Sequence, residues 1–237
     1  MPPQQFTGVP AHLMNMGLGT ELIYSFVIIL CSLMIYFGTK ELYELSSHKG
    51  IKYFRQAFLF FALAYFFRSF IKFVMVYFNV GAILDISPRT FGFAFGQITL
   101  FIFMYFSSMA IFYLLYSAMW KKWNGNSKKI YLFHLLAIIL SFSILLSKNA
   151  LAYLGINLFL FFIVLFIIYI SHKNKKKKSK GHNLHVIYIL LSFFWILNII
   201  DILIPEFFQT FQLFIYVASL VIFLIILYKV LKKTGPS

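Results

Sequence analysis

Two basic residues stand where hydrocarbon is expected. Arg68 and Lys72 lie inside a long apolar run, four positions apart, so a helix places them on one face. If the apolar part of that run begins near Ala57, a rise of about 1.5 Å per residue puts Arg68 about 16 Å deep and Lys72 one turn beyond it. A charge at such depth costs from about 2.5 to more than 10 kcal/mol, so it turns toward the interior of a bundle and toward partners. Asp201 is the carboxylate well inside another apolar run. Counted from His185 it lies about 24 Å along its helix, against about 22 Å for Lys72. The depths match, which predicts an ion pair between Asp201 and Arg68 or Lys72.

Further polar side chains fall in the same layer. Asn198 precedes Asp201 by three residues, and Gln97, Asn157, Gln209 and Gln212 lie within about 10 Å of the same end of their own runs. Gln209, Gln212, Tyr216 and Ser219 make a polar stripe at helical spacing. The expected ligand-binding set is therefore Arg68, Lys72, Gln97, Asn157, Asn198, Asp201 and Gln212. One acid facing two bases leaves an excess positive charge, which favours a small polar or anionic ligand. The competing use of such groups is interhelical hydrogen bonding, at about 0.6 to 2 kcal/mol each.

Other chemistries find no support. The sequence has no HExxH, no GxSxG, no glycine-rich phosphate loop and no second buried carboxylate to pair with Asp201, so no catalytic role, and no enzyme, is expected. Cys31 is the single cysteine, which excludes an internal disulfide and a multi-cysteine metal or iron–sulfur site. None of the six histidines is central in an apolar run. His182 and His185 make at most half of a metal site, with no acid or thiol beside them, so neither metal nor cofactor is expected.

The elements that hold these residues follow from composition. Of 237 residues, 62% are hydrophobic and 11% charged, against roughly 45 to 50% and 25% in a soluble domain. Mean hydropathy is +0.87. The expected fold is an all-α integral membrane protein, a seven-transmembrane helix bundle. Apolar runs long enough to span occur at 21–39, 54–78, 90–120, 130–147, 150–171, 184–205 and 207–229. They leave a tail at 1–20 and another at 230–237. The first tail lacks the basic and apolar regions of a signal peptide and is interrupted by Pro2, Pro3 and Pro10. Ser87-Pro88 reads as a helix start, Asn124-Gly125-Asn126-Ser127 as a turn, and Pro205 as a break.

Charge gives the direction. Alternate connections carry 17 lysines and arginines on one side, while Arg89 and Lys148 stand alone on the other. Positive loops stay in the cytoplasm, which puts the N-terminus outside, the C-terminus inside, and the protein in the cell membrane as a multi-pass chain. Lys173, Lys175, Lys176, Lys177, Lys178 and Lys180 form the densest basic run. It suits anionic lipid headgroups or an acidic cytosolic protein partner, although fixing topology alone also accounts for it. Nucleic acid is not an expected partner, because no folded reader stands outside the apolar runs.

Gly92 and Gly96 form a GxxxG pattern, more often used for packing within a chain than for dimerisation. A retinal protein would need a lysine midway along the seventh run, where only Lys229, at its inner end, is present. The polar outer layer and basic inner rim together suggest a receptor-like or sensor membrane protein. A transporter or channel for a small polar or anionic solute, or a non-catalytic scaffold subunit, are the alternatives. The nearly apolar inner parts of the fourth and fifth runs argue against a conducting path.

Overall fold

A computed structural model describes residues 11–77, 88–123, 128–147, 150–175, 183–203 and 209–234. They form eight helices and no strand: α1 (Ala11–Gly38), α2 (Lys40–Ser46), α3 (Lys49–Tyr77), α4 (Pro88–Met119), α5 (Lys128–Ser147), α6 (Ala150–Lys175), α7 (Asn183–Leu203) and α8 (Gln209–Thr234). Seven stretches of the described residues are long and apolar enough to cross a membrane, from Gly19–Ser46, which runs from α1 through the short α2, to Phe211–Lys232 in α8. That composition points to a multi-pass membrane protein.

These sequences form helices because their backbone groups have no other partners in apolar surroundings, and because their large residues occur all round the helix rather than in one stripe. Pro88 opens α4, at the position where a missing N–H is harmless. The turn from α2 to α3 is made by Ser47, whose φ of 49° is left-handed and whose N–H donates to the Tyr43 carbonyl. The Asn124–Ser127 turn, Pro205 and the lysines from Lys176 to Lys180 lie outside the described residues. Expected and observed ends agree closely for six helices, but α1 begins at Ala11, ten residues before the run at 21–39. Residues 11–20, expected as tail, are therefore helical.

Six helices close a ring in which α1 packs on α3 and α8, α3 on α4, α4 on α6, α6 on α7 and α7 on α8. The remaining long helix, α5, lies outside the ring against α4 and α6. Aromatic residues fill the middle. Phe58, Phe61, Phe194 and Phe223 are all buried, with ring centroids 4.7 Å apart for Phe194 and Phe223 and 6.4 Å for Phe61 and Phe194. The outward surface is as apolar as the core: Ile23, Phe26, Leu30, Met34 and Phe37 make an exposed stripe down α1.

Candidate functional site

Above the four-phenylalanine layer, toward the end where α1 begins, the polar residues converge. The reason is local and steric. Tyr65 and Arg68 are one turn apart on α3, Asn198 and Asp201 one turn apart on α7, and both pairs face the ring's interior. Phe61, Phe103, Tyr153, Phe194 and Trp195 complete a cavity with Ser107 and Asn157. The space open to the centres of water molecules is about 20 Å³. That admits about one or two waters, or a solute of about three heavy atoms.

Arg68 and Asp201 line the same cavity, yet they are not each other's counter-ion. Glu21 on α1 takes that role. Its Oε1 accepts from Arg68 Nε at 3.0 Å and lies 2.8 Å from Arg68 Nη2, and both its oxygens accept from Lys72 Nζ at 2.7 Å. The expected pair between Asp201 and Arg68 or Lys72 is thus replaced by a triad joining α1 to α3. The physical reason is the early start of α1. Ten residues of helix precede Glu21, which puts it about 15 Å along the rod, rather than at its edge. Because α1 packs directly on α3, Glu21 reaches both bases.

Asp201 keeps an unusual environment. Its Oδ1 is buried and has no hydrogen-bond partner among the described residues. The charge count also changes: Glu21 and Asp201 balance Arg68 and Lys72, so the described residues of this layer carry no excess positive charge, contrary to expectation.

The other polar groups are mostly committed. Tyr65 donates to Asn198 Oδ1 at 3.1 Å and its hydroxyl lies 3.4 Å from that of Tyr24. Tyr24 stacks on Tyr216 with centroids 4.5 Å apart. Trp195 Nε1 donates to the Asn157 carbonyl at 3.1 Å, while the side-chain amides of Asn157 and Asn198 donate to carbonyls one turn back on their own helices. The Arg68 guanidinium sits 5.2 Å over the Phe103 ring.

Of the seven residues expected at the site, Arg68, Asn157, Asn198 and Asp201 line the cavity. Lys72 stands one turn away on Glu21. Gln212 donates to the Tyr216 hydroxyl at 3.0 Å and stands beside Asp201. Gln97 does not line the cavity, and its buried Oε1 has no partner among the described residues. Sequence reasoning missed Glu21 because it sits at the edge of its apolar run. It missed the tyrosines and Trp195 because aromatic residues make up 21% of the chain and carry little positional information.

Elsewhere the chemistry is sparse. Among the described residues no group of three or more His, Cys, Asp and Glu is placed to hold a metal. His172 and His185 approach with ring centroids 5.5 Å apart, with no acid at the pair among those residues. Cys31 is buried. Among the described residues Gly96 faces open space rather than a neighbouring helix, and the surroundings of Gly92, the other half of the GxxxG pattern, lie outside them.

No known family pattern and no solved structure matches this chain. It is 30% identical over 216 residues to an uncharacterised protein of Archaeoglobus fulgidus, an alignment covering 91% of this chain and 93% of the relative. At that identity, and over so nearly the full length of both proteins, the chain belongs to the same family as the uncharacterised Archaeoglobus fulgidus protein.

Proposed function

We propose that the protein is a receptor-like membrane sensor of the cell membrane, with its N-terminus outside, that binds a small polar ligand in the cavity between α3, α4, α6 and α7. The observation that carries the reading is the cavity itself, where Arg68 and Asp201 share one space above an aromatic layer and Asp201 keeps a buried Oδ1 without a hydrogen-bond partner among the described residues. An ionisable group kept at such depth with one oxygen unpartnered costs stability, and a ligand that supplies the missing interactions offsets that loss. The packed rings of Phe58, Phe61, Phe194 and Phe223 support sensing over transport, because they put an apolar layer beneath the cavity. At the opposite end, Lys121 and Lys129 lie over Trp120 and Trp123, and Lys40, Lys49, Lys52, Lys122, Lys173 and Lys232 are exposed. This basic rim faces the cytoplasm, where it meets anionic lipid headgroups and an acidic cytosolic partner that carries the signal.

The test pairs a binding measurement with a flux measurement. Purified protein in lipid nanodiscs is heated with solutes of two to five heavy atoms, and the same solutes are offered to proteoliposomes. A sensor shows one or more solutes raising the unfolding temperature of the wild type but not of Asp201→Leu, with no uptake. Protein-dependent uptake, or no stabilising solute at all, overturns the reading.

A further inference from the structure

The cavity's two open hydrogen-bonding positions differ in kind. On the α3 wall, Arg68 spends its Nε and Nη2 on Glu21 and makes no other hydrogen bond among the described residues. A guanidinium has five N–H donors, so this arrangement keeps donors for the cavity that Arg68 lines. On the α7 wall, Asp201 lines the cavity with a carboxylate, an acceptor-only group. Of the other polar side chains at the cavity, Tyr65, Trp195, Asn157 and Asn198 each direct a donor to a protein acceptor, which leaves Arg68 and Asp201 as its charged walls. The walls between are aromatic: Phe61, Tyr65, Phe103, Tyr153, Phe194 and Trp195 complete them.

Charge decides among ligands that fit this shape. Among the described residues the layer holds two acids and two bases, Glu21 and Asp201 against Arg68 and Lys72. An anion placed there gains Arg68 but meets Asp201, and a cation gains Asp201 but meets Arg68. Either ion also brings an unbalanced charge into an apolar surround. A neutral solute with an acceptor at one end and a donor at the other satisfies both walls without that penalty.

Resting on the sensor reading, we propose that the cavity selects a small, planar, neutral molecule of the amide class, its carbonyl toward Arg68 and its N–H toward Asp201. Neutralising one acid inverts the preference. Asp201→Asn leaves the layer with one excess positive charge, and formate then replaces the amide as the favoured occupant.

Three solutes of one shape and different charge test this: formate, formamide and formamidinium. Each carries a carbon-bound proton that ligand-detected NMR follows by saturation transfer from the protein in nanodiscs, with empty nanodiscs as the blank. With three heavy atoms, affinity cannot exceed the order of 1 mM, so titrations extend to tens of millimolar. For the wild type, formamide is expected to bind at least fivefold more tightly than either ion, and Asp201→Asn to favour formate over formamide by a similar factor. Glu21→Gln makes the same change of charge from a residue outside the cavity lining, and the same shift toward formate is expected if that variant folds. A wild-type preference for formate or formamidinium overturns the amide assignment and leaves the sensor reading intact. No saturation transfer from any of the three overturns the amide assignment as well, and the sensor reading then rests on its own wider solute screen.

Discussion

Glu21 and Asp201 carry the same functional group, and the bundle uses them in opposite ways. Glu21 holds two bases through contacts of 2.7 to 3.0 Å. Removing the charge of one partner in such a buried set strands the others, at about 3 to 5 kcal/mol. Asp201 has no ion pair of this kind among the described residues, so replacing its carboxylate by an amide strands no charge there. Glu21→Gln is therefore expected to lower unfolding stability by about 3 kcal/mol or more, and Asp201→Asn by less than about 1 kcal/mol. Denaturant titration in mixed micelles measures both. The reverse order would make Asp201 the principal counter-ion and return the pairing to the one expected from depth alone. Those depths were legible in the sequence, since Arg68, Lys72 and Asp201 interrupt apolar runs. Which acid meets which base was not, because depth along a helix says nothing about rotation about the bundle axis.

Between elements, contact distance is set by what each helix lacks at the crossing. A Cβ added to Gly50 would lie 2.8 Å from two atoms of the Trp120 indole and 2.9 Å from His48. Here α3 also comes close enough to α4 for Ser117 to donate to the Gly50 carbonyl at 2.7 Å. At Gly38 the close atom is instead Leu231 Cδ2, 2.7 Å away, at the end of a side chain that rotates aside. Gly96 would meet nothing within 4 Å. Alanine is therefore expected to destabilise at position 50 by about 1 to 3 kcal/mol, to change little at position 38, and to stabilise slightly at position 96 through helix propensity. Thermal unfolding of the three variants checks the order. If Gly96→Ala proves the most damaging, that glycine packs against another molecule. The sequence marked Gly96 through its spacing to Gly92 and gave no sign of Gly50, whose neighbours lie 67 and 70 positions further along the chain.

At the scale of the molecule, the seven long helices and their apolar outer surface agree with a chain whose solvent is lipid, and lysine placement predicts the direction across it. Cysteine labelling measures it. In a Cys31→Ser background, Lys122→Cys is expected to escape a membrane-impermeant maleimide in intact cells and to react once the membrane is opened. Labelling of intact cells would invert the topology, placing the basic rim outside and the cavity toward the cytoplasm. The amino-acid sequence alone determined the helical class and the number of long helices, because hydrophobic length and the 1.5 Å rise are properties of each segment by itself. Tertiary structure alone decided that α1 brings Glu21 to both bases, that Arg68 and Asp201 share a cavity without pairing, and that phenyl rings close its floor. Those outcomes depend on which faces of different helices meet. With apolar residues on every side of each helix, no amphipathic stripe records that choice, and only packing resolves it.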